Sequence, residues 1–334
     1  MVARSRGFAI WLAVTTGACG PAAGAVPVGG TPAGGAVPVE GPPPVSAVPV
    51  DGAAATRDTI PGTPWTVEDW RIFSNRIRWA KAEGLDRVPL GEAIARLGVT
   101  FVGATYRPAT LEVPGPERLV VNLRELDCVT FVENVLALTR FLRHDGVALL
   151  DDPAAARTRY EGYLRDLRYR GGRLVGYSSR LHYFSEWLAD NERRGAVRQL
   201  TRELGGVEDR EPITFMSTHP QSYRQLADSA VRLEIERIER ELNRGPGRWV
   251  LPEAGIAAAA AGIRDGDVIA ATSTVGGLDV AHTGFALWRN GRLHLLHAPL
   301  VGKSVEISEL PLADRILGLA GQDGIMVARP LERP

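Results

Sequence analysis

The sequence has few cysteines, no excess of charge of either sign and no long apolar run. Its 334 residues include 39 Lys and Arg against 39 Asp and Glu, so the formal net charge is zero. A balanced charge creates no global field that would attract nucleic acid or anionic lipid, and a nucleic-acid-binding role is not indicated. The sequence also has no Gly-rich phosphate loop after a strand and no paired-cysteine metal spacing. It therefore predicts no nucleotide or zinc cofactor.

The two cysteines, Cys19 and Cys128, lie in different surroundings. Residues 1–19 are typical of an export signal, because two arginines precede an apolar stretch that is too short to span a bilayer. The ending "TGAC" favours a lipoprotein in which Cys19 is acylated, and simple cleavage nearby is the alternative. In either case Cys128 has no second cysteine in the folded domain, and an odd thiol in an exported protein needs a reason. We expect a periplasmic or envelope-anchored protein.

Residues 20–61 form a tract rich in Pro, Gly, Ala and Val, in which "AVPV" occurs three times. The tract has no amphipathic period, and its prolines favour extended conformations, so it is predicted to be a spacer. The folded domain is then predicted to cover residues 62–334.

The domain begins with helical patterns and ends with strand patterns. Helices are predicted from a cap at Thr66 to a stop at Gly84, and over 89–98, 128–143, 152–168, 182–195 and 221–245. A short strand is predicted over 118–123. Beyond Gly247 the chain consists of short β-branched segments bounded by turns, at 265–274, 280–288, 292–298, 303–308 and 324–330. Helices first and antiparallel strands afterwards indicate an α+β fold.

Cys128 lies at a predicted helix start, in "RELDCVTFVENVL". Asp127 fits the N-cap position, which makes Cys128 the first helical residue. The positive end of the helix dipole favours the nucleophilic thiolate, whereas the charge of Asp127 opposes it. A cation, most naturally a histidine, is needed to favour ionisation. The alternative is that Cys128 is a small buried core residue.

A hairpin supplies two histidines. Asn290-Gly291 is a strong signal for a two-residue turn, and the register that it sets places Gly284 opposite His297. His282 and His297 then become diagonal neighbours on one face, within side-chain reach. One histidine could take the thiol proton while the second orients its ring. Two structural histidines, or a zinc site that lacks a nearby third ligand, are the alternatives.

Six stretches, taken together, resemble the bacterial N-acetylmuramoyl-L-alanine amidase-like family of NlpC-type, papain-like cysteine hydrolases. They are "DCVTFVENVLAL" (127–138), "YSSRLHYFSEWLADN" (177–191), "ITFMSTH" (213–219), "GDVIAATSTVGGLDVAHTG" (266–284), "LHLLHA" (293–298) and "GIMVARP" (324–330). The resemblance implies a papain-like core in which the cysteine helix packs on an antiparallel sheet. It also implies that Cys128 is the nucleophile, His282 the general base and His297 the orienting third member.

The substrate that the resemblance implies is a peptidoglycan fragment. The bond that it implies joins N-acetylmuramic acid, in its ordinary or its anhydro form, to L-alanine. Cleavage would pass through a thioester. Candidate substrate-binding residues are Arg180, His182, Tyr183, Asp127 and Ser217. Two alternatives stay open: an endopeptidase that cuts within the stem peptide, and a non-catalytic envelope protein that binds muropeptides.

Overall fold

The computed structural model describes residues 59–300 and 304–332. The predicted signal with Cys19, and the spacer up to residue 58, lie outside the described residues. The helices are α1 (Val67–Ala82), α2 (Leu90–Val99), α3 (Cys128–His144), α4 (Pro153–Arg168), α5 (Phe184–Arg193), α6 (Phe215–Thr218), α7 (Ser229–Arg244), α8 (Glu253–Ala259) and α9 (Leu312–Leu317). In residues 59–300 and 304–332, no helix has the length and apolar character that crossing a membrane requires.

The predicted helix starts follow from side chains that accept the first free backbone N–H groups. Thr66 caps α1, Asp127 caps α3 and Asp152 caps α4, each through a side-chain oxygen. Helix α1 ends two residues before Gly84, whose φ of 70° is the left-handed conformation that commonly terminates a helix. The capping pattern therefore predicted these boundaries to within one or two residues.

The strands are β1 (Thr105–Tyr106), β2 (Glu125–Leu126), β3 (Val197–Gln199), β4 (Val207–Asp209), β5 (Arg248–Pro252), β6 (Val268–Ser273), β7 (Val280–Arg289), β8 (Arg292–His297), β9 (Glu306–Ile307) and β10 (Gln322–Pro330). The large sheet has the order β4-β5-β10-β6-β7-β8-β9, with β3 paired to β10, and its pairs are antiparallel. Strands β1 and β2 form a separate parallel pair. The predicted α+β class is confirmed.

The β7–β8 hairpin has the register that the sequence predicted. Arg289 pairs with Arg292, and Gly284 pairs with His297. Asn290 and Gly291 both have positive φ, at 51° and 72°, as a type I′ turn requires. This turn matches the twist of the two strands and so fixes which side chains share a face.

The central strands are buried on both faces. In β6, Ala270 belongs to the larger apolar cluster and Ile269 to a second cluster on the opposite face. Helices α1 to α4 contribute to the larger cluster, and α8 and α9 contribute to the second. Helix α3 packs against β7, where Phe131 meets Phe285 edge-on with 5.7 Å between ring centroids. The cysteine helix thus lies directly on the hairpin strand that carries His282.

The prediction of a strand over 118–123 is wrong. The segment has no regular secondary structure, and side chains of distant helices bind its backbone in place of a neighbouring strand. Asp69 of α1 accepts from the N–H of Leu123 at 2.9 Å, and Arg168 of α4 donates to the carbonyl of Val120 at 2.7 Å. These bonds satisfy buried peptide groups that would otherwise need a strand partner.

The predicted helix over 221–245 starts too early. Residues 220–222 and 224–227 form short 3₁₀ turns, and α7 begins only after Asp228, whose carboxylate accepts from the N–H of Ala230 at 2.8 Å. An aspartate at this position is a strong N-cap, so it sets the helix start. The short elements β3, β4, β5, α6, α8 and α9 were not predicted.

Candidate active site

Cys128 is the first residue of α3, as predicted, and its side chain is buried. Asp127 caps the helix: Oδ1 accepts from the N–H and from the hydroxyl of Thr130, both at 2.8 Å. In return, the N–H of Asp127 donates to the Thr130 hydroxyl at 2.9 Å. This reciprocal capping fixes the entry into the helix and therefore the position of the cysteine.

Burial raises the pKa of the Asp127 carboxyl, while hydrogen bonds from Thr130 and the charges of Arg168 and Arg180 act to lower it. The net shift is upward, so Asp127 carries less negative charge at a given pH than an exposed aspartate would. The objection that Asp127 disfavours a thiolate at Cys128 is correspondingly weaker.

The two hairpin histidines are in direct contact. Nε2 of His282 lies 2.7 Å from Nδ1 of His297, and the rings meet at 81° with centroids 4.8 Å apart. Their exposed fractions are 2% and 1%. The predicted diagonal pairing of these residues is confirmed. A hydrogen bond between the two rings restricts the orientation of both, so the pair is an orienting device.

His297 is held in its neutral form. Burial lowers its pKa well below the usual range, and the charges of His282 and Arg315 act in the same direction. Its second ring nitrogen, Nε2, has no hydrogen-bond partner among the described residues. The carboxylate of Glu306 approaches this nitrogen to 3.7 Å. One donor site on the pair therefore faces a carboxylate without being bonded to it.

The backbone brings the cysteine and the histidines into one region. Strand β2 ends two residues before Cys128 and pairs with β1. Thr105 of β1 bridges to Ser304, which lies two residues before Glu306, and Glu306 pairs with His297 in the large sheet. This route and the packing of α3 on β7 both connect the helix start to the histidine hairpin.

Arg180 is buried within a set of polar side chains that we call the Arg180 cluster: Glu112, Glu117, Tyr177, Arg180 and His182. Its guanidinium forms ion pairs with Glu112 and, at 3.7 Å, with Glu117, and it lies 4.8 Å from the centroid of the Tyr177 ring. These contacts attach the 111–117 loop to the turn at 177–180.

The other predicted binding residues also have protein partners. His182 contacts the Tyr177 carbonyl through Nε2 at 2.9 Å, and burial together with the charge of Arg180 lowers its pKa well below the usual range. Tyr183 donates to Glu239 at 2.7 Å. Ser217 donates its N–H to the same carboxylate at 3.0 Å. Roles for Arg180, His182, Tyr183, Asp127 and Ser217 in substrate binding stay predictions.

Sequence reasoning missed Glu306. Its stretch was predicted as a strand, but the connection from His297 to Glu306 is too long for a two-residue turn rule to set its register. Within residues 59–300 and 304–332, no group of three or more His, Cys, Asp or Glu side chains could hold a metal ion.

Cys128 at the start of α3 and the His282–His297 pair on β7 and β8 are the candidate catalytic side chains. Residues 96–320 match the sequence model of the family described as N-acetylmuramoyl-L-alanine amidase-like. The chain belongs to this family. No curated relative matches it.

Several solved structures are similar to the chain. An N-acetylmuramoyl-L-alanine amidase from Bacteroides uniformis is 35% identical with a TM-score of 0.66, covering 73% of this chain and 99% of its own. A candidate xylanase from Bacteroides fragilis is 33% identical with a TM-score of 0.62, covering 70% and 98%. A Legionella pneumophila protein, with 18% identity, a TM-score of 0.57 and coverage of 78% and 95%, shares the fold.

Proposed function

We propose that the protein is a cysteine-dependent amidase that cleaves the bond between N-acetylmuramic acid, in its ordinary or its anhydro form, and L-alanine in peptidoglycan fragments. The observation that carries the proposal is the 2.7 Å contact between the rings of His282 and His297, on the strand against which the Cys128 helix packs. Membership of the amidase-like family and the Bacteroides uniformis amidase support the choice of bond.

In the first step the Cys128 thiol transfers its proton to Nδ1 of His282, and the sulfur attacks the carbonyl carbon of the lactyl amide. The N–H groups and the positive dipole end at the start of α3 are suited to stabilise the developing oxyanion. His297 accepts a hydrogen bond from Nε2 of His282, so Nδ1 of His282 is left as the base.

In the second step the tetrahedral adduct collapses. The C–N bond breaks, His282 returns its proton to the leaving amine, and the stem peptide departs with a free L-alanine amino group. The sugar remains attached to sulfur as a thioester. Water, deprotonated by His282, then attacks the thioester carbonyl, which releases the muramic acid carboxylate and restores the Cys128 thiol.

The proposal includes a papain-like core of the NlpC type. In support, the chain order is a helix that begins with Cys128, followed by two histidines on adjacent antiparallel strands. A glycosidase, as the candidate xylanase would be, generally requires two carboxyl groups that flank the scissile bond. The side-chain pair joined in this site consists of imidazoles, and Asp127 uses its carboxylate to cap α3, which favours amide chemistry.

We also propose that the protein is exported, and that acylation of Cys19 anchors it to the envelope. The basic start of residues 1–19 and the apolar stretch that follows it support this proposal. The Pro-rich tract that follows is suited to hold the domain away from a membrane surface.

Mass spectrometry of the products from defined muropeptides tests the function. The amidase releases an intact stem peptide with a free L-alanine amine and leaves an unmodified sugar acid. A shortened peptide that stays on the sugar would instead identify an endopeptidase. Binding without any product would identify a muropeptide-binding protein and overturn the proposed chemistry.

A further inference from the structure

We propose that Glu306 is a positioning residue that supports the histidine pair during turnover, an inference that rests on the proposed function. Glu306 lies directly opposite His297 in the β8–β9 pairing. Its Oε1 is 3.7 Å from Nε2 of His297, which is within ion-pair range but longer than a hydrogen bond. Because directly opposite residues of an antiparallel pair share a face, this pairing places the Glu306 side chain on the same face of the sheet as the His297 ring.

The placement of protons on the pair explains why a carboxylate is useful there. When Nε2 of His282 donates to Nδ1 of His297, the single proton of the neutral His297 ring must be on its Nε2. That N–H is buried and has no hydrogen-bond partner among the described residues. A buried donor without a partner is costly, and Glu306 supplies the nearest acceptor. A short inward movement of the Glu306 side chain would complete the chain Cys128–His282–His297–Glu306.

The resting enzyme does not contain a fixed His297–Glu306 salt bridge. Burial and the charges of His282 and Arg315 keep His297 neutral, and burial also raises the pKa of Glu306, against the lowering effects of Arg315 and His282. Glu309 adds a second negative charge nearby. Since the histidine pair gains positive charge only when His282 takes the thiol proton, the carboxylate contributes most at that moment.

The negative charge of Glu306 determines the direction in which the two ionisations of the site shift with pH. Removing the Glu306 charge destabilises the Cys128 thiolate–His282 imidazolium state relative to the neutral pair. The thiol then ionises at higher pH, and the imidazolium loses its proton at lower pH. Since the Glu306 side chain is 43% exposed, solvent screens the interaction. We expect each shift to be about half a pH unit and the loss of kcat/KM to be about 3-fold to 10-fold.

The test is the rate at which iodoacetamide alkylates Cys128, measured against pH, because this rate reports the thiolate without any substrate. Glu306→Gln is compared with Glu306→Asp, which retains the charge, and with Glu309→Gln, which removes an exposed neighbouring charge. In Glu306→Gln the acid limb should move to higher pH, whereas Glu306→Asp and Glu309→Gln should remain near the wild type. The pH profile of kcat/KM with a muropeptide should narrow in the same variant.

Two results separate this inference from the proposed function. If wild-type Cys128 is alkylated only at the pH at which an ordinary thiol ionises, the assignment of Cys128 as the nucleophile is wrong. The second result is that the alkylation rate of wild-type Cys128 begins to rise at a pH below that of an ordinary thiol, with Glu306→Gln leaving this rise at the same pH. In that case the amidase proposal stands and the role of Glu306 is overturned. An equal shift in Glu309→Gln would also overturn it, because the effect would then be general surface charge.

Discussion

The Arg180 cluster and the histidine pair are both buried polar sites, but they use their polar groups differently. In the cluster, the Arg180 guanidinium is paired with two glutamates, and the result is a loop fastened to a turn. In the pair, His282 and His297 contact each other, and one nitrogen of His297 still faces a half-exposed carboxylate. The burial of polar side chains alone therefore does not identify a catalytic site. A site that can gain and lose a proton is distinguished by its residue type, because an imidazole titrates near neutral pH and a guanidinium does not.

The largest expected effect separates the two regions by activity. Cys128→Ala should lower turnover by at least about 10⁴-fold, since the nucleophile is lost and only binding and oxyanion stabilisation remain. Product release from a muropeptide measures it, and the melting temperature serves as the control for folding. Undiminished turnover by a folded Cys128→Ala protein would refute the nucleophile.

The second effect separates the regions by stability. Arg180→Met should lower the free energy of unfolding by about 3–5 kcal/mol, because it removes the ion-pair partner of the buried Glu117 side chain and of the partly buried Glu112 side chain. Urea denaturation measures the loss. Arg210→Met is the matched control: Arg210 forms an ion pair with Glu208 at 2.6 Å, but its side chain is 66% exposed. That change should remain within about 0.5 kcal/mol.

The third effect is a pH dependence that both regions share. The folded-state pKa of His182 and of His297 lies well below the ordinary value, so the unfolded chain binds protons that the native state does not. Each histidine should therefore lower stability as the pH falls below about 6.5, with a slope of at most about 1.4 kcal/mol per pH unit.

Buried carboxyl groups with raised pKa values act in the opposite direction, so the useful quantity is the difference between the wild type and each variant. His182→Gln and His297→Asn should each gain stability relative to the wild type between pH 7 and pH 5 in urea denaturation. A difference that does not change with pH would mean that the pKa of the corresponding histidine is the same in the native and the unfolded state.

The smallest effect tests the register of the hairpin. Gly291→Ala should cost about 1 kcal/mol, since Gly291 has a φ of 72° and alanine disfavours that conformation. The turn lies at the end of the hairpin away from the histidines, so kcat/KM should not change. Thermal melting and muropeptide hydrolysis measure the two quantities. A large loss of activity would show that the turn controls the alignment of the pair.

Local signals in the sequence predicted much of the fold and the centre of the candidate site. The caps at Thr66, Asp127 and Asp152 are local, because each side chain bonds to backbone groups two or three residues away. The Asn290-Gly291 turn is local as well, and it placed His282 beside His297 from residues fifteen positions apart.

The features that were missed depend on contacts between distant segments. Residues 118–123 have the composition of a strand, but Asp69 and Arg168 bind their backbone from other helices. Glu306 reaches His297 through a connection whose length does not fix a register. Arg180 was predicted to be a ligand-binding residue because it is polar and precedes a helix, and no sequence pattern revealed the glutamates at 112 and 117 that bind it.

Residues 111–123, which form no regular helix or strand, depend on side chains of other segments for the bonds of their backbone. The peptide groups of this segment are held by side chains: Arg180 and Arg224 donate to carbonyls near its start, and Arg168 and Asp69 bind near its end. A strand would tie each residue to a neighbour in fixed alternation. Here each tether is a separate side chain that a single codon change can remove or replace. The approach to Cys128 is therefore sensitive to single substitutions at four side chains that lie outside the strands of the large sheet.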